Sequence, residues 1–354
     1  MTGAAWRDMS WRDMTELRRL FLACLAVFAL PALAPPVRAD NIPRVSILEE
    51  NDSLFFNSDK HYTQGLRLSY LAPDLKPDAA WNDPFNLLAD IPTVFAQDGT
   101  TTRRYALLLG QSIFTPKNLT LKMPSAHDRP YGGWLYGGAS LLQETNHAML
   151  ENFEIDAGVV GPGSLAKQVQ NDFHQFIGDA EAKGWADQIQ NEPGLMLSYE
   201  RLWRMPLVGD GNSGVDFVPQ VGGTAGNVFT YADIGGQLRI GTNLHAEYGP
   251  VRIRPALSGT DYFDADQLDG NLGFYFFMGA QGRAVGRNIF LQGNTFRQSP
   301  SVGMKVLVAD FQAGFSLFWS SDIRFDTSVV RRTEEFQGQA TPDEICTAAV
   351  AFSW

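Results

Sequence analysis

Four polar clusters, far apart in the chain, carry the residue types that could do chemistry. Glu49-Glu50-Asn51-Asp52 presents side-chain oxygens of the kind a hard cation prefers. His61-Tyr62-Thr63 forms a second group, and Thr115, Lys117, Lys122 and Asp128-Arg129 form a third. The cations of that third group suit phosphate oxygens. His174 stands in the fourth, with Gln170 and Asn171 at i−4 and i−3, on its own face of a helix. Histidine titrates near neutral pH, so as a general base it can take a proton from water without extreme tuning. By themselves an Asn-Asp pair before a loop is turn chemistry and rim lysines are solvated charges. Only a fold that brings the clusters together turns them into a site.

The elements that must position them are strands. Period-two segments separated by Gly, Asn, Asp and Pro clusters predict strands over 43–50, 63–72, 102–113, 132–145, 151–160, 193–204, 214–223, 230–240, 270–283, 306–319, 322–333 and 345–354. Twelve is an even number, as a barrel with both termini on one side requires. One face of several strands carries charge, as with Arg67 and Ser69, Glu154 and Asp156, or Asp322, Arg324 and Asp326. That fits a polar lumen as well as a solvent face. With the mature N-terminus in the periplasm, odd strands run outward, and all four clusters meet at the outer rim. A barrel mouth is a natural ligand site. Thr63 shares parity with Arg67 and Ser69, which predicts that it faces the lumen.

Two connections stand out. Residues 73–101 carry Trp81, Phe85, Leu88 and Phe95 at roughly helical spacing, predicting a short helix resting on the barrel mouth. Residues 161–191 predict a helix over 165–177 stopped by Gly178, and a second short helix over 181–189.

The two ends of the chain choose the compartment. Leu17-Arg18-Arg19, an apolar run over 20–33 and a small-residue exit through Ala39 have the layout of a secretory signal peptide. The predicted division is a signal peptide over 1–39 and an outer-membrane barrel domain over 40–354. Trp6-Arg7-Asp8-Met9 repeats as Trp11-Arg12-Asp13-Met14, so Met1 and Met14 both stand as possible starts. Cys24 lies at the beginning of the apolar run rather than after it, which argues against a lipoprotein. The removed piece carries five basic and three acidic side chains, taking the net charge from −11 to −13. Such acidity argues against nucleic acid as a partner. Cys346 alone survives processing, so no intramolecular disulfide is expected. Beyond the signal no apolar stretch reaches the roughly 20 residues of a membrane helix. A spanning protein must then be a barrel. The close, Thr347 to Trp354, alternates apolar with small residues and ends on an aromatic, like the strand that barrels present to their assembly machinery.

The same segments carry a family resemblance. Glu50-Asn51-Asp52, Tyr62-Thr63-Gln64-Gly65-Leu66, Asp128-Arg129-Pro130-Tyr131, and Gly161-Pro162 with Gln168, Gln170-Asn171 and His174 resemble the outer-membrane lipid A 3′-O-deacylase family (LpxR type). Gly178, Trp185, Asp187-Gln188-Ile189 and Asn191 extend the match in order and approximate spacing. The resemblance implies an all-β fold: a twelve-stranded antiparallel transmembrane β-barrel with a short helical extracellular loop. It also implies calcium-dependent hydrolysis of an acyl ester of lipid A, the 3′-O-acyl chain, in the outer leaflet. By motif it makes Asn51, Asp52, Thr63 and His174 catalytic, with Asp52, Asn51 and Glu50 as metal ligands. Lys117, Lys122, Gln170 and Asn171 become substrate-binding candidates, the two lysines as rivals for one role. The acidic residue expected after the histidine falls on Ala180, between Asp179 and Glu181. A monomer inserted by the barrel-assembly machinery, with lipopolysaccharide as partner, completes the expectation.

Two rivals remain at this point. A serine-dependent outer-membrane phospholipase needs a His-x-Ser pair on one strand. Here His61, His127, His147, His174 and His245 are followed two residues on by Thr63, Arg129, Met149, Phe176 and Glu247. A non-catalytic channel or lipopolysaccharide-binding barrel would need neither a cation site nor a competent histidine.

Overall fold

The computed structural model describes residues 42–52, 60–95, 99–257, 260–270 and 272–353. The predicted signal peptide lies outside them. The strands are β1 (Arg44–Asn51), β2 (His61–Leu71), β3 (Thr101–Thr115), β4 (Gly132–Thr145), β5 (Met149–Val160) and β6 (Glu192–Trp203, continued as Met205–Gly209). They are followed by β7 (Gly214–Gly226), β8 (Phe229–Gly241), β9 (Leu272–Asn288), β10 (Leu307–Trp319), β11 (Ile323–Arg332) and β12 (Asp343–Ser353). Every strand pairs antiparallel with its sequence neighbours, β6 pairs β7, and β1 pairs β12 with Arg44 opposite Ser353. The result is a closed barrel of twelve strands, with both ends of the described chain at one end of it.

Polarity runs inside out. Leu66, Leu68, Leu107, Leu109, Ile234 and Phe276 stand exposed on the outer face, while Arg67, Glu154, Asp156, Glu200, Asp310 and Arg324 are buried within. A soluble sandwich would place the two sets the other way. No helix among the described residues is long and apolar enough to cross a membrane, so the strands do the crossing.

The first of the two long connections contains the expected short helix, but it rests on the outer face of β3 to β5 rather than on the mouth, packed against Tyr105, Leu141 and Phe153. This connection forms α1 (Asn82–Leu88), with Phe85 and Phe95 buried and Trp81 stacked on Tyr105 at 4.2 Å. The second forms α2 (Ala166–Ile177), ended by Gly178 at φ 79°, the left-handed position that suits glycine. The second helix expected over 181–189 is only a single 3-10 turn, Trp185–Asp187. The Ala180 carbonyl and the Ala182 amide are already bonded to His174 and Asn171 of α2, so a helix there would forfeit those bonds.

The described residues of a third long connection, 242–257 and 260–270, enter the lumen. Its Arg252 Nε meets Glu50 Oε1 at 2.9 Å, and its Arg254 bridges Glu154 at 3.0 Å and Glu200 at 2.9 Å. Asp261 takes Arg67 and Ser69, while the hydroxyls of Tyr248 and Tyr262 donate to Glu144. Charges on the plug therefore answer charges on the wall. At the rim away from the termini, Phe290 of the four-residue α3 (Ile289–Gln292) stacks on inward-facing Phe114 at 4.0 Å. Trp134, Ile189 and Phe229 join that cluster.

Candidate functional site

The site is assembled on the outside of the wall, at the rim away from the termini. In β3 the exposed Leu107 and Leu109 mark the outer face, which Gln111, Ile113 and Thr115 continue. Ile113 is nonetheless buried, because Ala166, Trp185, Ala182 and Tyr131 cover it. Gln111 donates to the Ser164 carbonyl at 2.6 Å, holding the foot of α2 to the wall. Gly133, paired with Ile113, is required here: a Cβ would run into Ala166 Cβ and Ser164 Oγ. The helix thus lies on β3 and β4, pressed close by a residue without a side chain.

The face of α2 turned to the wall is polar. Ala166, Gln170 and His174, four residues apart, are its buried members. His174 Nδ1 lies 2.6 Å from the Ala180 carbonyl oxygen. A carbonyl can only accept, so Nδ1 carries the proton and the lone pair of the neutral ring is on Nε2. The ring is thus oriented by the backbone of Ala180, the position on which the acidic residue implied by the resemblance falls. Gln170 Oε1 accepts from Trp185 Nε1 at 2.9 Å. Asn171 accepts from the Ala182 amide at 3.1 Å and donates to Glu181 at 3.2 Å. Both fasten the returning segment 180–185 to α2, and that segment in turn holds His174.

Two strands over, Asn51 ends β1 opposite Gln64 of β2. It shares the outer face with exposed Ile47 and with Glu49, whose carboxylate is hydrogen-bonded to the Gln64 and Asn51 side chains. Glu50 points the other way: Arg252 Nε and the Ile253 amide occupy its Oε1 inside the lumen. Of the three ligand candidates, then, Glu50 does not share a face with Asn51, and Glu49, which parity with Ile47 could have picked out, does. Asp52 is buried, and its Oδ2 accepts a hydrogen bond from the Lys60 amide at 2.6 Å.

Thr63 does not follow its predicted parity. The register of β2 and β3 shifts between Tyr62 and Gln64, leaving Thr63 as the extra residue of a bulge. Its hydroxyl meets that of Thr115 at 2.7 Å, and Thr115 lies on the same face of β3 as Ile113. The bulge turns Thr63 from the lumen toward the side that bears α2.

Lys117 and Lys122 are exposed on the loop 116–131, which is tied to the α2 connection where the Lys183 amide bonds the Leu119 carbonyl at 2.9 Å. Arg129 is unlike them: it is fully buried, over the Phe114 ring and 3.4 Å from Glu335. Asp128 anchors this loop. Burial works against its charge, but the hydrogen bonds from His61 and from the Lys117 and Arg129 amides win and hold its carboxyl below the ordinary 3.8. His61 sits between Asp343 at 2.7 Å and Asp128 at 3.6 Å, an arrangement that joins loop 116–131 to β12. Asn51, Asp52, Thr63, Thr115 and the α2 connection therefore occupy one third of the rim, built on β1 to β4 of the twelve strands.

The comparisons agree with this architecture. The family model described as outer membrane protein LpxR matches residues 20–354. The chain belongs to the LpxR outer-membrane protein family. Among solved structures, LpxR from Salmonella typhimurium matches with TM-score 0.68 at 20% identity, covering 88% of this chain and 100% of that one. At that identity the likeness is one of fold. The β domain of the Bordetella autotransporter BrkA has TM-score 0.41 at 9% identity, covering 89% of this chain and 100% of its own. No curated protein matches the chain. The family and the closed twelve-stranded barrel make this an outer-membrane protein with a lipid A-related role.

Proposed function

We propose that this protein is a calcium-dependent lipid A deacylase that hydrolyses the 3′-O-acyl ester in the outer leaflet, where the rim away from the termini faces outward. The observation that carries the reading is His174, held through Nδ1 on the Ala180 carbonyl beneath a helix that lies against the outer, lipid-facing wall. A base at that place meets a substrate that stays in the membrane.

In this reading Nε2 of His174 takes a proton from water as the oxygen attacks the ester carbonyl. The acyl C–O bond then breaks, and the same proton passes to the departing sugar oxygen. Thr63, braced by Thr115, and Asn51 line the attack side. Asn51 and Asp52, with Glu49 and Gln64 in place of the inward Glu50, form an all-oxygen donor set that suits calcium. Calcium bound there supplies positive charge for the carbonyl oxygen as it turns negative. Lys117 or Lys122, exposed on the adjoining loop, meets a lipid A phosphate. The plugged lumen supports this reading over a channel, and the absence of a His-x-Ser pair supports it over a serine phospholipase. The same reading takes the protein as a monomer inserted through its terminal strand by the barrel-assembly machinery.

The test is fatty acid release from lipid A by the purified barrel in vesicles. Release that needs calcium and stops on chelation supports the proposal; release indifferent to chelation overturns it.

A further inference from the structure

The polarity of α2 is reversed relative to a helix resting on a water-soluble body. Such a helix buries its apolar stripe. Here Gln170 and His174 face the wall, while Val169, Phe173, Phe176 and Ile177 turn away, with Phe173 45% and Phe176 69% exposed. That free face is continuous with the membrane-facing belt. Ala166 packs on Ile113, and the next exposed positions down the same face of β3 are Leu109 and Leu107. Strands rise about 3.4 Å per residue, so Leu109 lies only about 14 Å below Ile113. An apolar face of this kind, with Lys167 and Asp172 exposed beside it, is how an interfacial helix is built.

We propose that α2 lies in the membrane surface, its Val169–Phe173–Phe176 stripe seated among the acyl chains of the surrounding lipid. The groove between α2 and the wall then opens sideways to the bilayer, and a lipid reaches His174 without leaving it. The occupant is lipid hydrocarbon rather than a protein. The inference rests on the outer-membrane barrel and holds whether or not the ester chemistry proposed above is right.

Nitroxide labels test it in the full-length protein, carrying Cys24→Ser and Cys346→Ser and reconstituted in phosphatidylcholine vesicles. Single cysteines are placed at Val169, Phe173 and Phe176, and at Gln168, Asp172 and Gln175. Oxygen dissolves in hydrocarbon while a nickel chelate stays in water, so at the stripe the ratio of oxygen to nickel contact is expected to exceed that at the polar positions by about tenfold. Equal, water-like contact at all six positions overturns the proposal, as does protection of the stripe from both reagents, which marks a protein cover. If a label disturbs α2, unlabelled protein gives the same answer. A diazirine-bearing acyl chain tags Phe173 and Phe176 and spares Gln168 and Asp172, and even tagging contradicts the inference. None of these readouts needs enzymatic turnover, so their failure is distinct from failure of the deacylase reading.

Discussion

Two connections of similar length, 161–191 and 242–271, settle on opposite sides of the same wall. The first keeps Gln170 and His174 against the barrel and leaves Val169, Phe173 and Phe176 exposed. The second carries arginines, an aspartate and tyrosines into the lumen, where they meet Glu50, Glu154, Glu200 and Arg67. Each connection is matched to its medium. Inside, buried charge is tolerable because nearly every member has an opposite partner. Outside, the polar groups form a narrow layer between helix and wall, which is where a reaction on a membrane lipid needs them.

Separate substitutions should break one side and leave the other intact. Arg254→Ala strands the buried Glu154 and Glu200 and is expected to destabilise the barrel by about 3–5 kcal/mol. Thermal unfolding should show that loss, and hydrogen exchange should rise over 242–257 while α2 stays protected. Gly133→Leu does the reverse. It lifts α2 from the wall, and a small displacement of the proposed base is expected to lower turnover by about 100-fold, with the melting temperature nearly unchanged. Gln170→Ala removes the acceptor of the buried Trp185 indole and should favour local opening of α2 by about 1–3 kcal/mol, read by exchange of its amides. Asp128 gives the smallest effect. Its carboxyl is held below the ordinary 3.8, so its contribution is complete above that pH and is lost as pH falls through the lower folded value. Exchange at the Lys117 amide should rise on acidification, with Asp128→Asn removing the pH dependence.

The barrel was legible because alternation and turn chemistry mark strands locally: twelve were expected and twelve close the sheet. The rim cluster followed from strand direction, and α2 from its composition and Gly178 stop. Three things escaped. Parity fails wherever a bulge adds a residue, and that is what reverses Thr63. It also shows which residues share a face without saying what meets them, so Glu50 looked like a ligand when Arg252 already held it. The plug was invisible because nothing local distinguishes a polar loop in water from one inside a polar lumen. Its charges complement those of strands up to about 200 positions away, as Glu50 and Arg252 do.

In the proposed reading, the groove between α2 and the outer wall hydrolyses an ester of lipid A with His174 as the base. Mass spectrometry of lipid A from cells expressing the protein tests it most directly. Loss of the mass of one ester-linked acyl chain is expected, and His174→Ala should reduce that conversion by about 10²- to 10⁴-fold with the barrel still folded. Lipid A left intact by the folded, calcium-supplied protein, or trimmed equally well by the His174→Ala variant, would contradict the account.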